Sequence, residues 1–223
     1  IRSRCRHLSL HTPSTKAVAK LLIERDQISK ELAEFAAHTS QGHIGIAKHL
    51  ATNQQSRDNR LATLKIPFTI KSIATAYKAA ELLVNSAKAQ AEADAENRDE
   101  AELANLKQAW GSTGSKMASG GAKAIKELEK EQKTRGTRMV RDYLDRGLLD
   151  LATLYRDILL IQFGSVDNLI NQDIKNEITK IANSTTESKT LLKIQAILRA
   201  RVNLMHSSAI LLTMEALMLE LKD

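Results

Sequence analysis

The sequence predicts an all-helical protein. Of its 223 residues only 3% are aromatic, and two are prolines. Alanine, leucine, lysine and glutamate are plentiful, and these residues favour helices. Because 43% of the residues are hydrophobic, the chain can bury a core, and its length fits one or two domains.

The first element is predicted to be a short strand. Between residues 6 and 11, Leu8 and Leu10 alternate with polar residues, which is the period of a half-buried strand, and Thr12 and Pro13 end it. One strand cannot satisfy its backbone alone. We therefore expect residues 1–12 to be the remnant of a sheet whose other strands lie upstream of this sequence.

Three short helices are expected next. The first is predicted over 13–25, where Pro13 stands at a favoured first-turn position. The second begins at Ser29 and ends near Gly42, since glycine is a frequent helix stop, and the third starts directly after it. Together they predict a small bundle over 13–65, which ends at a break over 65–67.

Residues 67–223 predict a second, larger helical domain. The predicted order is an apolar helix from about residue 70, an Ala-rich charged stretch at 87–102 that projects into solvent, a Gly/Ser-rich connection near 111–121, and helices over 122–164, 166–182 and 186–221.

Two apolar stripes in this second domain could pack into a core or contact another subunit. One is made of Leu144, Leu148, Leu151, Tyr155 and Ile158, and the other of Leu191, Ile194, Leu198, Met205, Leu212 and Leu219. Both are apolar enough to form a core, and contacts with another subunit would use whatever remains exposed. The pattern alone does not divide the two roles.

The chain is basic, with a formal net charge of +7 and a pI near 9.5. This charge permits contact with nucleic acid or with an acidic partner and establishes neither. No apolar run approaches the roughly 18 residues of a membrane span, so we expect a soluble protein without a membrane partner. Cys5 has no second cysteine for a disulfide or a zinc site, which fits a reducing, cytoplasmic setting.

No segment from residue 6 onward has the pattern of a catalytic or metal centre. The Gly/Ser-rich stretch resembles a phosphate loop only in composition. Ser115 precedes Lys116 where glycine belongs, and Met117 follows where a magnesium-binding hydroxyl belongs. The six histidines lack the paired spacing that would aim two imidazoles at one metal.

Aspartates on the 122–164 helix are the remaining candidates for acid–base chemistry. Asp142, Asp145, Asp150 and Asp157 recur beside Arg138, Arg141, Arg146 and Arg156. Alternating charges of this kind are typical of a salt-bridged exposed face or of a subunit interface. We therefore predict such a face and no paired catalytic carboxylates.

The N-terminal residues carry a resemblance to a known family. Ser3, Arg4 and Cys5 precede the predicted strand, the Thr-Pro turn and the three-helix bundle, an order similar to the end of the ATPase module in AAA+ clamp-loader subunits. The later helical blocks resemble the delta-prime subunits of the bacterial DNA polymerase III clamp loader, of the high-GC Gram-positive type. The resemblance implies that 13–65 is a helical lid and 67–223 an oligomerising collar, with the nucleotide-binding domain absent from this sequence.

The resemblance also implies roles for single residues. In this family the arginine of the Ser-Arg-Cys motif enters the nucleotide site of the neighbouring subunit, which makes Arg4 a trans-acting arginine finger. A guanidinium suits that role because it is permanently charged and matches phosphate oxygens. The family's second sensor is Gly-x-x-Arg, but here Gly42 is followed by Gly45 where the arginine would stand. The implied subunit does not hydrolyse ATP and binds no cofactor, while ATP and magnesium lie in the neighbouring subunit.

The implied partners are gamma/tau and delta subunits, in a cytoplasmic hetero-oligomer that loads the sliding clamp onto primer-template DNA. The chain by itself is not expected to be an enzyme, although it would belong to the polymerase III holoenzyme. Two alternatives remain open. One is a gamma/tau-type ATPase fragment, which Gly45 disfavours, and the other is a free-standing basic helical adaptor that binds nucleic acid through its long helices.

Overall fold

The computed structural model describes residues 11–110, 120–206 and 209–222. All regular structure in these ranges is helical, which confirms the all-α class. The helices are α1 (Thr15–Asp26), α2 (Lys30–Thr39), α3 (Ile44–Thr52), α4 (Gln54–Thr69), α5 (Ile73–Ala109), α6 (Gly121–Gln162), α7 (Lys175–Ser184), α8 (Glu187–Met205) and α9 (Ile210–Leu221), with one 3-10 turn at Gln172–Ile174. The strand expected within residues 1–12 lies almost wholly outside the described residues.

The first three helices enclose a small hydrophobic core of their own, named here the first core. Ser14 caps α1 by accepting a hydrogen bond from the backbone N–H of Ala17 at 3.2 Å. The first core consists of Val18, Ala19, Leu22, Ala33, Ala36, Ala37, Ala47, Leu50 and Ala51. Six of these nine side chains are alanines, so the three helices approach one another closely and bury little volume per residue.

Helix α4 runs through the point where the sequence predicted a break. Pro67 lies inside the last turn of α4, which ends two residues later at Thr69. A proline this close to the end of a helix removes one backbone hydrogen bond without shortening the helix. The predicted break over 65–67 is therefore wrong, and Leu64 of α4 packs into the larger core instead of the first one.

The second core lies between α5, α6, α8 and α9, with α4 and α7 along its sides. Its centre is the predicted stripe of α6, in which Leu144, Leu148, Leu151, Tyr155 and Ile158 are all buried. Gly147 stands in the same stretch, where a Cβ would lie 3.5 Å from Leu83 of α5 and 3.6 Å from Thr63 of α4. The three helices are therefore packed close together at Gly147.

The stretch 87–102 does not project freely into solvent as predicted. Ala87, Ala91 and Ala95 recur every fourth residue and are buried along one side of α5. Farther along the same side, Arg135 of α6 reaches Asp99 of α5 at 2.9 Å. Small side chains let two helices lie close together, which a reading of hydrophobicity alone does not anticipate.

The last two predicted helices are also divided differently. The helix predicted over 166–182 starts later than expected. Residues 163–171 form a turn region, and helical structure begins with the 3-10 turn at Gln172–Ile174 and continues in α7. The predicted helix 186–221 is two helices, because α8 ends at Met205 and α9 begins at Ile210. None of the helices in the described ranges is long and apolar enough to cross a membrane.

Candidate functional site

The residues singled out from the sequence fall into two groups. Ser3, Arg4 and Cys5 lie outside the described residues. Gly42 and Gly45 are described and lie at the start of α3, where His43 caps the helix by accepting the N–H of Ile46 on its Nδ1 at 3.2 Å. The structure therefore bears on the sensor position alone.

Gly42 and Gly45 differ in what the fold requires of them. Gly42 has φ +89°, and a Cβ there would lie 2.5 Å from Cγ2 of Thr12 and 2.8 Å from the carbonyl oxygen of Pro13. Gly42 is needed for packing, because only glycine combines this backbone conformation with so close a neighbour. Gly45 is exposed, and a Cβ would meet only the ring of His43 at 3.4 Å. The fold leaves room for a side chain at Gly45.

Gly45 borders a cleft of about 430 Å³. The cleft lies where the first core meets the second, with walls from α3, α4, α5 and α6. Its polar lining includes His43, His49, Arg60, Asp94, Asp142 and Arg146. The hydroxyl of Tyr143 donates a hydrogen bond to Asp94 at the same wall, and partial burial together with that carboxylate raises the pKa of Tyr143.

Arg60 is the central residue beside this cleft. Its side chain is only 3% exposed, and its Nε lies 3.4 Å from Oδ1 of Asp150. Its Nη2 donates a hydrogen bond to Asn171, and its guanidinium lies 5.8 Å from the ring centre of Phe35 in α2. A single side chain of α4 thus contacts α2, α6 and the turn before α7.

Asp150 is shared between two guanidinium groups. Nε of Arg146 lies 3.6 Å from its Oδ2, on the side away from Arg60. Burial raises the pKa of Asp150, and the positive charges of Arg146 and Arg60 oppose that rise. Within the described part of the chain, Nε of Arg60 and Nη2 of Arg146 are buried without a hydrogen-bond partner. This cluster holds charges out of water at the junction of the two cores.

A second buried carboxylate fixes the turn region 163–171. Asp157 has no exposed surface and accepts hydrogen bonds from the backbone N–H of Asn171 at 2.7 Å and from its side-chain amide at 2.8 Å. Arg156 donates to the other oxygen of Asp157 at 2.8 Å. Because Asn171 also accepts from Arg60, the two buried carboxylates belong to one network.

The prediction of an exposed salt-bridged face on α6 is therefore wrong for two of its four aspartates. Asp150 and Asp157 are buried, whereas Asp142 is exposed and Asp145 pairs with Arg201 of α8 at 2.7 Å. A signal was available in the spacing. Asp150 and Asp157 are seven residues apart at the edge of the apolar stripe of α6, so a buried stripe carries both of them inward.

Helix α8 presents apolar residues on the side opposite the core. Ala196, Ile197, Ala200 and Leu204 are buried, whereas Leu191, Leu198, Val202 and Met205 are 45%, 47%, 52% and 71% exposed. These four exposed residues, named here the outer stripe, follow one another every three to seven residues and share one side of the helix. Most of the second predicted stripe is therefore surface, since Leu212 at the start of α9 is exposed as well.

Comparison with protein-family models, with curated proteins and with solved structures finds no match to this chain. In the described ranges no group of three or more histidine, cysteine, aspartate or glutamate residues is placed to hold a metal ion.

Proposed function

We propose that this chain is the lid and collar part of a non-hydrolysing delta-prime subunit of a bacterial replicative clamp loader. In this proposal its collar, residues 67–223, joins gamma/tau and delta subunits in the cytoplasm. The assembled complex, which is part of the DNA polymerase III holoenzyme, loads the sliding clamp onto primer-template DNA.

The observation that carries this proposal is the outer stripe of α8. A helix that is apolar on two opposite sides is normally buried on both. One side of α8 covers the second core, and the other exposes Leu191, Leu198, Val202 and Met205 over about 21 Å of helix. An exposed apolar surface of this kind is typical of a protein–protein interface, as an oligomerising collar requires.

Gly45 supports the non-hydrolysing assignment. Gly45, the position that would hold the sensor arginine, is exposed in the first turn of α3. A Cβ at this position would contact only the ring of His43. Packing does not exclude an arginine there. The missing guanidinium fits a subunit that has no need to contact phosphates of its own nucleotide, and it counts against a gamma/tau-type ATPase fragment.

Assembly is tested by mixing the chain with gamma/tau and delta subunits and measuring the mass by light scattering coupled to gel filtration. We expect co-elution in a defined complex. The double substitution Leu198→Asp with Val202→Asp is expected to abolish co-elution, because it places charges in the interface. The matched control is Ile73→Asp with Leu82→Asp, which alters two apolar residues of α5 that are at least as exposed as Leu198 and Val202. Assembly of gamma/tau and delta without this chain would overturn the proposal.

The arginine finger is tested in the same complex. Arg4→Ala is expected to lower ATP hydrolysis by the neighbouring subunit at least tenfold, because removing such an arginine typically costs far more. Arg6→Ala, two residues away, is the matched control and is expected to leave hydrolysis unchanged. Equal effects of both substitutions would remove Arg4 from the proposed role.

A further inference from the structure

Helices α5 and α6 form a two-helix arm that extends beyond the second core. Among the described residues, nothing in α5 after Ala95 is buried, and nothing in α6 between Gly121 and Leu144 is buried. The two helices are held together along this stretch by polar contacts. Arg135 pairs with Asp99, and the side-chain amide of Gln132 donates to the backbone carbonyl of Asp99 at 3.0 Å. The arm thus has an inner side, where α5 and α6 meet, and an outer side.

The outer side of α6 carries a row of lysines. Lys123, Lys126, Lys130 and Lys133, named here the lysine row, are all exposed. Their spacing of three, four and three residues places them on one side of the helix, spread over about 15 Å and roughly opposite Arg135.

The lysine row differs from the arginine of the inner side in having no carboxylate partner. In the described part of the chain no carboxylate oxygen lies within 4.0 Å of any of these four ammonium groups. Glu127, Glu129 and Glu131 occupy the same helix and do not close ion pairs with them. Lys126 and Lys130 are four residues apart, an arrangement of like charges that weakens an isolated helix. Glu127 and Glu129 lie four residues from Lys123 and Lys133, a spacing of opposite charges that offsets this effect. The row therefore presents four exposed ammonium groups on one side of the helix.

We propose that the lysine row binds the phosphate backbone of double-stranded nucleic acid. A straight row of free ammonium groups matches a partner whose negative charges also repeat along a line. No large apolar side chain lies on this side of α6, where Glu127 and Glu129 flank the row and Thr137 follows it one turn later. A helix that binds a membrane surface instead needs an apolar face to enter the lipid. The inference goes beyond the clamp-loader proposal, because it assigns binding to this chain without any partner subunit.

The test is the fluorescence anisotropy of a labelled 20-base-pair DNA duplex, titrated with the full chain between 50 and 200 mM salt. If all four lysines contact phosphates, the logarithm of the binding constant falls with the logarithm of salt with a slope of about −3 to −4. The variant with all four changed by Lys→Gln is expected to lose at least tenfold in affinity at 50 mM salt and most of the slope.

The matched control changes four exposed lysines elsewhere, at positions 71, 78, 175 and 180, to glutamine, which lowers the net charge by the same amount. We expect this control to bind like the unchanged chain. Circular dichroism establishes that both variants stay folded. Equal losses in the two variants would overturn the proposal, because binding would then follow net charge alone.

Two further outcomes would also overturn it. One is negligible duplex binding at 50 mM salt, and the other is binding to phosphatidylserine vesicles that exceeds binding to the duplex. Co-elution of the lysine-row variant with gamma/tau and delta subunits is measured separately. Its result distinguishes a failure of nucleic-acid binding from a failure of the clamp-loader proposal.

Discussion

Arg60 of α4 and Asp150 of α6 meet inside the protein, with Nε and Oδ1 3.4 Å apart and side chains only 3% and 7% exposed. Arg60 also lies over Phe35 of α2, and Asp150 is shared with Arg146. The pair therefore stands where the three-helix first core is joined to the long helices. Breaking it is expected to cost far more than breaking a surface ion pair.

Asp150→Asn tests this pair. The substitution keeps the size of the side chain. It leaves Arg146 without its counter-charge and leaves Arg60 with Asp173 alone, whose Oδ2 lies 3.7 Å from Nη1 of Arg60. We expect a loss of about 3–5 kcal/mol in the free energy of unfolding, measured by urea denaturation. Glu24→Gln is the control, since the Lys20–Glu24 pair at 3.7 Å is exposed and its loss is expected to cost less than about 1 kcal/mol. Similar losses for both variants would contradict the central role of Asp150.

Gly42 and Gly45 provide a second comparison. Gly42→Ala is expected to destabilise the protein by about 2 kcal/mol or more, because its φ of +89° and its contact with Thr12 both exclude a Cβ. Gly45→Ala is expected to stabilise it by about 0.5–1 kcal/mol, because alanine favours the helix and meets only His43. Thermal and urea unfolding measure both changes. Opposite signs are the expected result, and a loss of stability in Gly45→Ala would show that the space at this position is not free.

Two neighbouring residues of α8 allow its two sides to be compared, because Ile197 lies in the second core and Leu198 in the outer stripe. Ile197→Ala is expected to cost about 2–5 kcal/mol in the free energy of unfolding, since Ile197 is fully buried. Leu198→Ala is expected to cost less than about 1 kcal/mol, since Leu198 is already 47% exposed. Urea denaturation of the two variants decides between them. A large loss for Leu198→Ala would mean that the outer stripe serves the core of this chain.

The buried alanines of α5, Ala87, Ala91 and Ala95, predict a difference between substitutions at buried and at exposed positions of that helix. Ala91→Leu inserts a larger side chain where α5 is buried, and we expect a loss of about 1–3 kcal/mol from overpacking. Ala93→Leu changes an exposed position two residues away and is expected to be nearly neutral. Both substitutions use strong helix formers, so the difference in unfolding free energy reports packing alone. If the two substitutions change the unfolding free energy equally, residues 87–102 form a solvent-exposed helix, as the sequence predicted.

Asp26 links α1 to α3 and predicts a dependence on pH. Hydrogen bonds from Arg25 and from Lys48, the latter at 2.8 Å, lower the pKa of Asp26 to about 2. An unfolded aspartate has a pKa of about 3.9, so this contribution to stability is complete above pH 4 and is lost as the pH falls toward 2. The carboxylate titration of Asp26, followed by NMR, is expected to have its midpoint near pH 2. Lys48→Met is expected to raise that midpoint, whereas Lys65→Met leaves it unchanged.

Much of the local structure could be read from the amino-acid sequence. The scarcity of aromatic residues and prolines predicted the all-α class. The helices α1, α2 and α6 begin and end within a few residues of their predicted bounds, and α3 begins where predicted. The inward side of α6 was also correct, since all five residues of its predicted stripe are buried. These features depend on local propensity and on the period of the helix, which a sequence displays directly.

The tertiary structure alone decided what each helix packs against. Asp150 and Asp157 looked like parts of an exposed charged face, and they are buried because Arg60 and Asn171, distant in sequence, reach them. Leu198 belongs to a stripe whose pattern fitted either a core or a subunit contact, and it is exposed because the second core covers the other side of α8. Periodicity shows which residues share a side of a helix. Whether that side is covered depends on contacts between segments far apart in the chain, and no local pattern encodes them.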